Sequence, residues 1–110
     1  MTEAQLVRKI TDALRKAGCW VLKLHGGPMQ LSGIPDLLVV RDGKAHFFEV
    51  KLPGKKATKL QQHRIDQLRG HGAVAEVVTS VEEAMQSIQI SVDYWDNPGL
   101  LNGEASKCSD

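Results

Sequence analysis

The sequence lacks long apolar runs, has few cysteines and carries no strong surplus of either charge. None of its apolar runs approaches the roughly 20 residues that a membrane-spanning helix needs, so we expect no membrane protein. The two cysteines, Cys19 and Cys108, lie near opposite ends of the chain, which excludes a disulfide framework and a cysteine-rich zinc cluster. The 14 Lys and Arg residues nearly balance the 13 Asp and Glu residues, so contact with nucleic acid requires a local basic patch.

The composition that remains is that of a globular protein with a single domain. Of the 110 residues, 42% are hydrophobic and 25% are charged, which is neither a disordered nor a fibrous composition. We expect one folded domain over residues 1–92 and a C-terminal tail over residues 93–110 that is flexible or takes part in dimer contacts. Met1 is not followed by a basic and then apolar stretch, so no secretory signal is visible and a reducing, cytoplasmic location is expected.

The spacing of apolar residues predicts the order helix, strand, strand, strand, helix, strand, helix. The predicted helices cover residues 2–17, 58–69 and 80–90, and the predicted strands cover residues 19–25, 36–41, 44–51 and 73–78. Thr2 with Gln5 and Ser80 with Glu83 fit capping boxes at the first and third helices. A hairpin followed by a helical crossover to another strand implies an α/β domain with a mixed sheet and helices on its faces.

A tight turn at Asp42-Gly43 predicts that two carboxylates face each other. This dipeptide between apolar runs is a strong hairpin signal and fixes the register of the two strands that it joins. Counting back from the turn, Asp36 lies opposite Glu49, with Cβ atoms about 5 Å apart. Lys51 falls on the same face of the sheet as Glu49.

Such a pair of acids needs a cation, a shared proton or separation by solvent, because like charges directly opposite each other destabilise a sheet. Magnesium is the usual hard cation for carboxylate oxygens. The alternative is that both acids lie on a wet sheet face or at a frayed strand end. The apolar residues 37–40 and 47–48 argue for strands buried on both faces and therefore against that alternative.

Two further polar side chains are directed toward the same region. Glu3 lies on the core-facing stripe of the first helix, and Gln61 shares a helix face with Ile65 and Leu68. Each also has a simpler explanation, since an acid in a first helical turn favours the macrodipole and a Gln at a helix start is often partly exposed.

The ordered set of these residues resembles the VRR-NUC branch of the PD-(D/E)xK nuclease superfamily. Pro35-Asp36 followed by Glu49-Val50-Lys51 matches the superfamily signature, and Glu3, the Gly33-Ile34-Pro35-Asp36 segment and Gln61 match the branch. The resemblance spans about residues 3–84. It implies a restriction-endonuclease-like fold, a mixed β-sheet flanked by helices, and metal-dependent hydrolysis of DNA phosphodiester bonds. The small stand-alone phage and bacterial proteins that it resembles are homodimers that cut branched DNA such as four-way (Holliday) junctions, in a bacterial or phage-infected cell.

The resemblance also implies the roles of the site residues. The residues that hold Mg²⁺ or Mn²⁺ are Asp36, Glu49, the Val50 carbonyl and, directly or through water, Glu3. Lys51 orients the attacking water and stabilises the transition state, although a simple ion pair with Glu49 is the alternative. Gln61 positions the water or Lys51. No organic cofactor is expected.

Basic residues around the site are the candidates for DNA contact. These residues are Lys23, His25, Lys55, Lys56, Lys59 and Arg64. The alternative for the lysine-rich loop is a solvated surface, and Trp20 and Trp95 either stack on bases or pack in the core or a dimer. A homodimer is expected because symmetric cutting of two strands needs two sites, with Tyr94-Trp95, Leu100-Leu101 or the neighbours of Phe47-Phe48 as apolar candidates.

Two other functions remain open from the sequence. The first alternative is a nicking, flap or restriction-type nuclease that acts on ordinary duplex DNA. The second is a non-catalytic nucleic-acid-binding or assembly module. The intact acids and lysine argue against the binding module, because an acidic pair beside phosphates does not help a surface that only binds them.

Overall fold

The computed structural model describes residues 1–24 and 31–96, with the backbone alone for residues 90–96. Its elements are α1 (Glu3–Lys16), β1 (Trp20–Lys23), β2 (Leu37–Arg41), β3 (Lys44–Val50), α2 (Lys59–Gly70), β4 (Val74–Val78) and α3 (Val81–Asp96). The predicted order of helices and strands is confirmed. None of the helices in this described part is long and apolar enough to cross a membrane.

The four strands form one mixed sheet in the order β1-β2-β3-β4. The first three strands are antiparallel neighbours, and β4 pairs parallel to β3 after the crossover through α2. The carboxyl ends of β1, β3 and β4 therefore lie together with the amino end of β2. We call this the site edge of the sheet, because both predicted acids lie there.

The turn between β2 and β3 has the predicted geometry. Asp42 and Gly43 both have positive φ, at 51° and 80°, which is the type I′ turn that matches the twist of a hairpin. Arg41 pairs with Lys44, and the register continues without a bulge to Leu37 opposite Phe48. The predicted register of the hairpin is confirmed over this whole length.

Side-chain caps begin the helices, and one predicted cap is only half correct. The capping box of Thr2 and Gln5 is present at α1. At α3 the Glu83 backbone N–H donates to Ser80 Oγ at 3.0 Å, as predicted. The Glu83 carboxylate instead accepts from the Thr79 backbone N–H at 2.6 Å, so the reciprocal half of the box is shifted by one residue.

The core lies on one face of the sheet, beneath α1 and α3. The core includes Leu6, Ile10 and Leu14 of α1, Leu37, Val39, Phe48 and Val50 of the sheet, and Ala84 and Ile88 of α3. The opposite face is only partly covered, because α2 packs mainly against β4. The expectation that both hairpin strands are buried on both faces is therefore wrong, because Leu38 and Val40 are only half-buried. Trp20 of β1 pairs with Val40, is 57% exposed and is not a core residue.

The last helix is longer, and the first strand shorter, than predicted. The third helix does not end near Ile90 but continues to Asp96. The reason is that the sequence has no Gly or Pro from Val81 up to Pro98. A proline disfavours helical conformation in the residue that precedes it. The first strand ends at Lys23 instead of running to His25. His25 and the predicted tail beyond Asp96, with Leu100-Leu101, lie outside the described residues.

Candidate active site

Asp36 reaches the site edge through a segment that only glycine permits. Gly33 has φ at 79°, and a Cβ atom placed on it would lie 2.6 Å from Leu60 Cγ at the start of α2. The chain then passes through buried Pro35 to Asp36, directly before β2. The close approach of this segment to α2 thus delivers the acid to the end of the strand.

Asp36 is fixed on both sides by neighbouring strands. Its backbone carbonyl accepts a hydrogen bond from the Leu24 N–H at 2.8 Å, just beyond β1. Its Oδ2 accepts a hydrogen bond from the Val50 N–H, also at 2.8 Å, at the end of β3. The carboxylate of Asp36 thus lies against the backbone next to Glu49.

Glu49 is the most unusual carboxyl group among the described residues. Its side chain is 2% exposed, and its Oε1 has no hydrogen-bond partner there. Burial, together with the negative charges of Asp36 and Glu3, raises the pKa of Glu49 to about 8, and the positive charge of Lys51 opposes this shift. Separation by solvent is therefore excluded, and either a proton or a cation must accompany this pair of acids.

Lys51 provides the positive charge closest to Glu49. Its Nζ lies 3.8 Å from Glu49 Oε2, and its side chain is only 12% exposed. Its backbone N–H donates to the Val78 carbonyl at 3.0 Å, which holds the residue to β4 just after β3 ends. Asp36, Glu49 and Lys51 are therefore brought together as predicted.

Glu3 lies at the outer margin of this group. It is exposed in the first turn of α1, and its charge contributes to the raised pKa of Glu49. Within the described residues, no group of three or more His, Cys, Asp or Glu side chains is arranged to hold a metal ion. The structure thus presents a pair of acids, with Glu3 further out.

Gln61 is partly occupied by its own helix. Its Oε1 accepts from the Thr58 backbone N–H at 2.9 Å, and its backbone N–H donates to Thr58 Oγ1 at 3.2 Å. This is the same capping box as at α1, and the Thr-x-x-Gln spacing in the sequence signals it. The amide Nε2 is the end of Gln61 that remains for contacts at the site.

The lysine-rich loop lies beside the site edge. Its exposed residues Lys55, Lys56 and Lys59 line a hollow of about 460 Å³ that also includes Val77 of β4. Val77 pairs with Glu49 across β3 and β4. The hollow therefore adjoins the buried acids.

The other predicted DNA-contacting residues are placed differently. The Arg64 guanidinium donates from Nε to the Ser32 carbonyl and from Nη1 to Gln67 Oε1, both at 2.9 Å, and so supports the segment that leads to Asp36. Lys23 ends β1 and lines a groove of about 330 Å³ with Glu3, Arg8 and Asp36. His25 lies outside the described residues.

The sequence analysis did not single out Arg8, which lines the groove with Lys23 and Asp36. The apolar stripe of α1 marks residues that face the core, and Arg8 flanks that stripe on the exposed surface. Its one signal is the spacing from Ala4, which places both residues on one side of the helix next to Glu3.

The acids lie apart from the large apolar groove. That groove, of about 450 Å³, lies between α2 and the sheet and is lined by Leu24, Leu31, Ile34, Pro35, Phe47, Arg64, Gln67, Leu68 and His71. It contains neither Asp36 nor Glu49. An apolar ligand pocket is therefore not the feature that surrounds the acids.

A mixed sheet with Asp36, Glu49 and Lys51 at one edge defines the class of the PD-(D/E)xK nucleases. The model of the VRR-NUC domain family matches residues 2–82 of the sequence. The chain therefore belongs to the VRR-NUC family and contains a nuclease domain.

Solved structures show the same fold. A VRR-NUC domain with 29% sequence identity superposes with a TM-score of 0.68 and covers 79% of this chain and 94% of its own. A VRR-NUC domain protein with 22% identity gives a TM-score of 0.62 over 81% of this chain and 86% of its own. Hjc, a Holliday junction resolvase of the hyperthermophile Archaeoglobus fulgidus, gives a TM-score of 0.57 at 21% identity over 70% and 67%. No curated protein matches the sequence.

Proposed function

We propose that the chain is a divalent-metal-dependent DNA endonuclease that is selective for branched DNA such as four-way junctions. The observation that supports it most is the Glu49 carboxyl group, which is buried beside Asp36 and has one oxygen without a hydrogen-bond partner among the described residues. A buried acid pair is costly for a fold unless a bound cation or a proton neutralises it. A metal-dependent nuclease needs such an acid pair, because the pair holds the catalytic cation.

The donor set fits Mg²⁺ or Mn²⁺. Asp36, Glu49 and the backbone carbonyl of Val50 would offer hard oxygen ligands, and the exposed Glu3 would act directly or through water. When bound, such an ion lowers the pKa of water and neutralises charge on the scissile phosphate. The orphaned Oε1 of Glu49 is the atom that most needs a cation.

Lys51 has a role that the acids cannot supply. Its largely buried ammonium group donates hydrogen bonds where negative charge develops on the phosphate, and it orients the attacking water. The Nε2 of Gln61 is available to position the water or Lys51, because Oε1 is held in the cap of α2.

The branched substrate is proposed from two observations. The exposed lysines at positions 55, 56 and 59 offer phosphate contacts beside the acids, so binding should weaken as salt rises. One solved structure with a similar fold, Hjc of Archaeoglobus fulgidus, is a Holliday junction resolvase. Such a substrate would be met in the cytoplasm of a bacterial or phage-infected cell.

We further propose that the active form is a homodimer that joins through the sheet face that α2 leaves uncovered. Trp20 is 57% and Leu22 43% exposed, and both lie on the same face as Leu38 and Val40. Symmetric cutting of two strands of a four-way junction needs two active sites, and a homodimer supplies them. Sedimentation equilibrium at micromolar concentration should show a dimer, and Trp20→Glu should give a monomer; a wild-type monomer alone would contradict this part.

The function is tested with three labelled DNAs: a four-way junction, a flap and a linear duplex. With Mg²⁺ the junction should be cut and the linear duplex spared, and EDTA should abolish cutting. Equal cutting of the duplex would instead assign a nicking or restriction-type nuclease. Metal-dependent products from none of the three would remove the enzymatic function.

A further inference from the structure

The groove between α1 and the end of β1 offers a second set of positive charges at the site edge. Besides Glu3 and Asp36 it is lined by Arg8 and Lys23, in a volume of about 330 Å³. Within the described residues neither cation forms an ion pair or a hydrogen bond that would occupy it. Arg8 is exposed, so its five N–H donors face solvent.

The position of this groove relative to the acids follows from the strand order. Lys23 pairs with Leu37, next to Asp36, and Asp36 accepts the Leu24 N–H at 2.8 Å. Neighbouring strands lie about 4.8 Å apart, so Lys23 lies one strand away from Asp36 and two from Glu49. The lysine-rich loop lies on the other flank, beside β4.

The charges at the site edge thus alternate along the ends of the four strands. Arg8 and Lys23 lie at β1, the acids at β2 and β3, and the exposed lysines beyond β4. A nucleic acid strand laid across these ends meets a cation on each side of the acid pair. Arginine is suited to the outer position, because its planar guanidinium binds a phosphate with two parallel hydrogen bonds.

We propose that Arg8, together with Lys23, binds a DNA phosphate next to the one that is cut, on the side opposite the lysine-rich loop. This inference rests on the proposed function and adds a binding subsite on α1. Arg8 is a substrate-binding residue here, and it takes no part in the reaction itself. Glu3 lines the same groove, and its negative charge repels phosphates. The site therefore holds only the part of the DNA backbone that lies closest to Arg8 and Lys23.

The test is the salt dependence of binding without metal, where no cutting occurs. The full chain is titrated in EDTA against a fluorescent four-way junction and a fluorescent duplex, between about 50 mM and about 200 mM salt. Arg8→Ala should weaken binding about tenfold at low salt and reduce the salt slope by about one per chain. Arg8→Lys should restore most of the slope, because it keeps the charge.

The matched control is Lys16→Ala, which removes one exposed positive charge from the same helix, eight residues further on. The two residues are about 12 Å apart along the helix axis. Equal effects of Arg8→Ala and Lys16→Ala would overturn the subsite and leave the proposed function standing. A wild-type chain that binds neither DNA would overturn the proposed function itself, and the subsite with it.

Discussion

The two ends of the β2–β3 hairpin carry the same kind of ion pair in opposite surroundings. At the turn, Arg41 Nε lies 3.7 Å from Asp42 Oδ2, with side chains 28% and 61% exposed. At the open end, Lys51 Nζ lies 3.8 Å from Glu49 Oε2, with side chains 12% and 2% exposed. The separation of the charges is nearly equal, and their access to water is not.

This difference shows that burial, rather than ion pairing as such, makes the open end chemically distinct. An exposed ion pair contributes only about 0–1 kcal/mol to stability, because water already satisfies both partners. At the open end Glu49 has Lys51 on one side and the negative charge of Asp36 nearby, and burial together with Asp36 raises the pKa of Glu49 to about 8. A buried carboxyl group of this kind destabilises the fold, and groups with such shifted pKa values are common at functional sites.

The largest expected effect comes from removing a charge at the open end while keeping its shape. Glu49→Gln and Asp36→Asn should each lower the rate of junction cutting by at least about 10³-fold, because an amide is a poor metal ligand and no longer holds the ion. Asp42→Asn removes the acid of the turn pair and should leave the rate within about twofold. Single-turnover assays with Mg²⁺ compare the three variants.

Circular dichroism should show that all three variants remain folded. A Glu49→Gln protein that cuts at the wild-type rate would show that the reacting centre lies elsewhere. A large loss in Asp42→Asn would show that the turn, and not the open end, carries the function.

The next effect concerns the two cations of the same comparison. Lys51→Ala should reduce the rate about 10²- to 10³-fold with little loss of DNA affinity, because its largely buried ammonium group acts on charge that develops in the transition state. Arg41→Ala should change neither the rate nor the affinity by more than about twofold. A loss of affinity without a loss of rate in Lys51→Ala would make Lys51 a binding residue instead.

The fold was largely predictable because local rules decide it. The Asp42-Gly43 turn requires two positive φ angles, and that requirement alone sets the register back to Leu37 and Phe48. Likewise, the capping box of Thr2 and Gln5 depends on four consecutive residues and needs no information from the rest of the chain.

The site was less predictable because its chemistry depends on how distant elements pack. That Asp36 lies near Glu49 follows from the turn, but the burial of Glu49 and the hydrogen bond from Val50 to Asp36 depend on the sheet and its helices together. For the same reason the partly covered sheet face and the groove at Arg8 had no sequence signal strong enough to find them.

The smallest expected effect is a pH dependence of stability that, of the two hairpin ends, the open end alone produces. The pKa of Glu49 is about 8 in the folded chain and 4.5 as its ordinary value. Between these two values the folded state binds more protons than the unfolded state, so without metal the free energy of unfolding should fall as the pH rises. A change of about 1 kcal/mol shifts the melting temperature of a domain of this size by about 4–8 °C.

Mg²⁺ replaces the proton on the buried pair, so its effect on the melting temperature should be largest where the proton is gone. Calorimetry in EDTA and in Mg²⁺ at about pH 6 and about pH 8.5 measures both effects. Wild-type and Asp42→Asn chains should lose stability toward the higher pH in EDTA and regain it with Mg²⁺. Glu49→Gln should show neither the loss nor the gain, because its amide does not titrate and binds the ion poorly. A wild-type chain whose melting temperature responds to Mg²⁺ equally at both pH values would mean that the ion does not compete with a proton on Glu49, and the buried pair would then owe its stability to Lys51 alone.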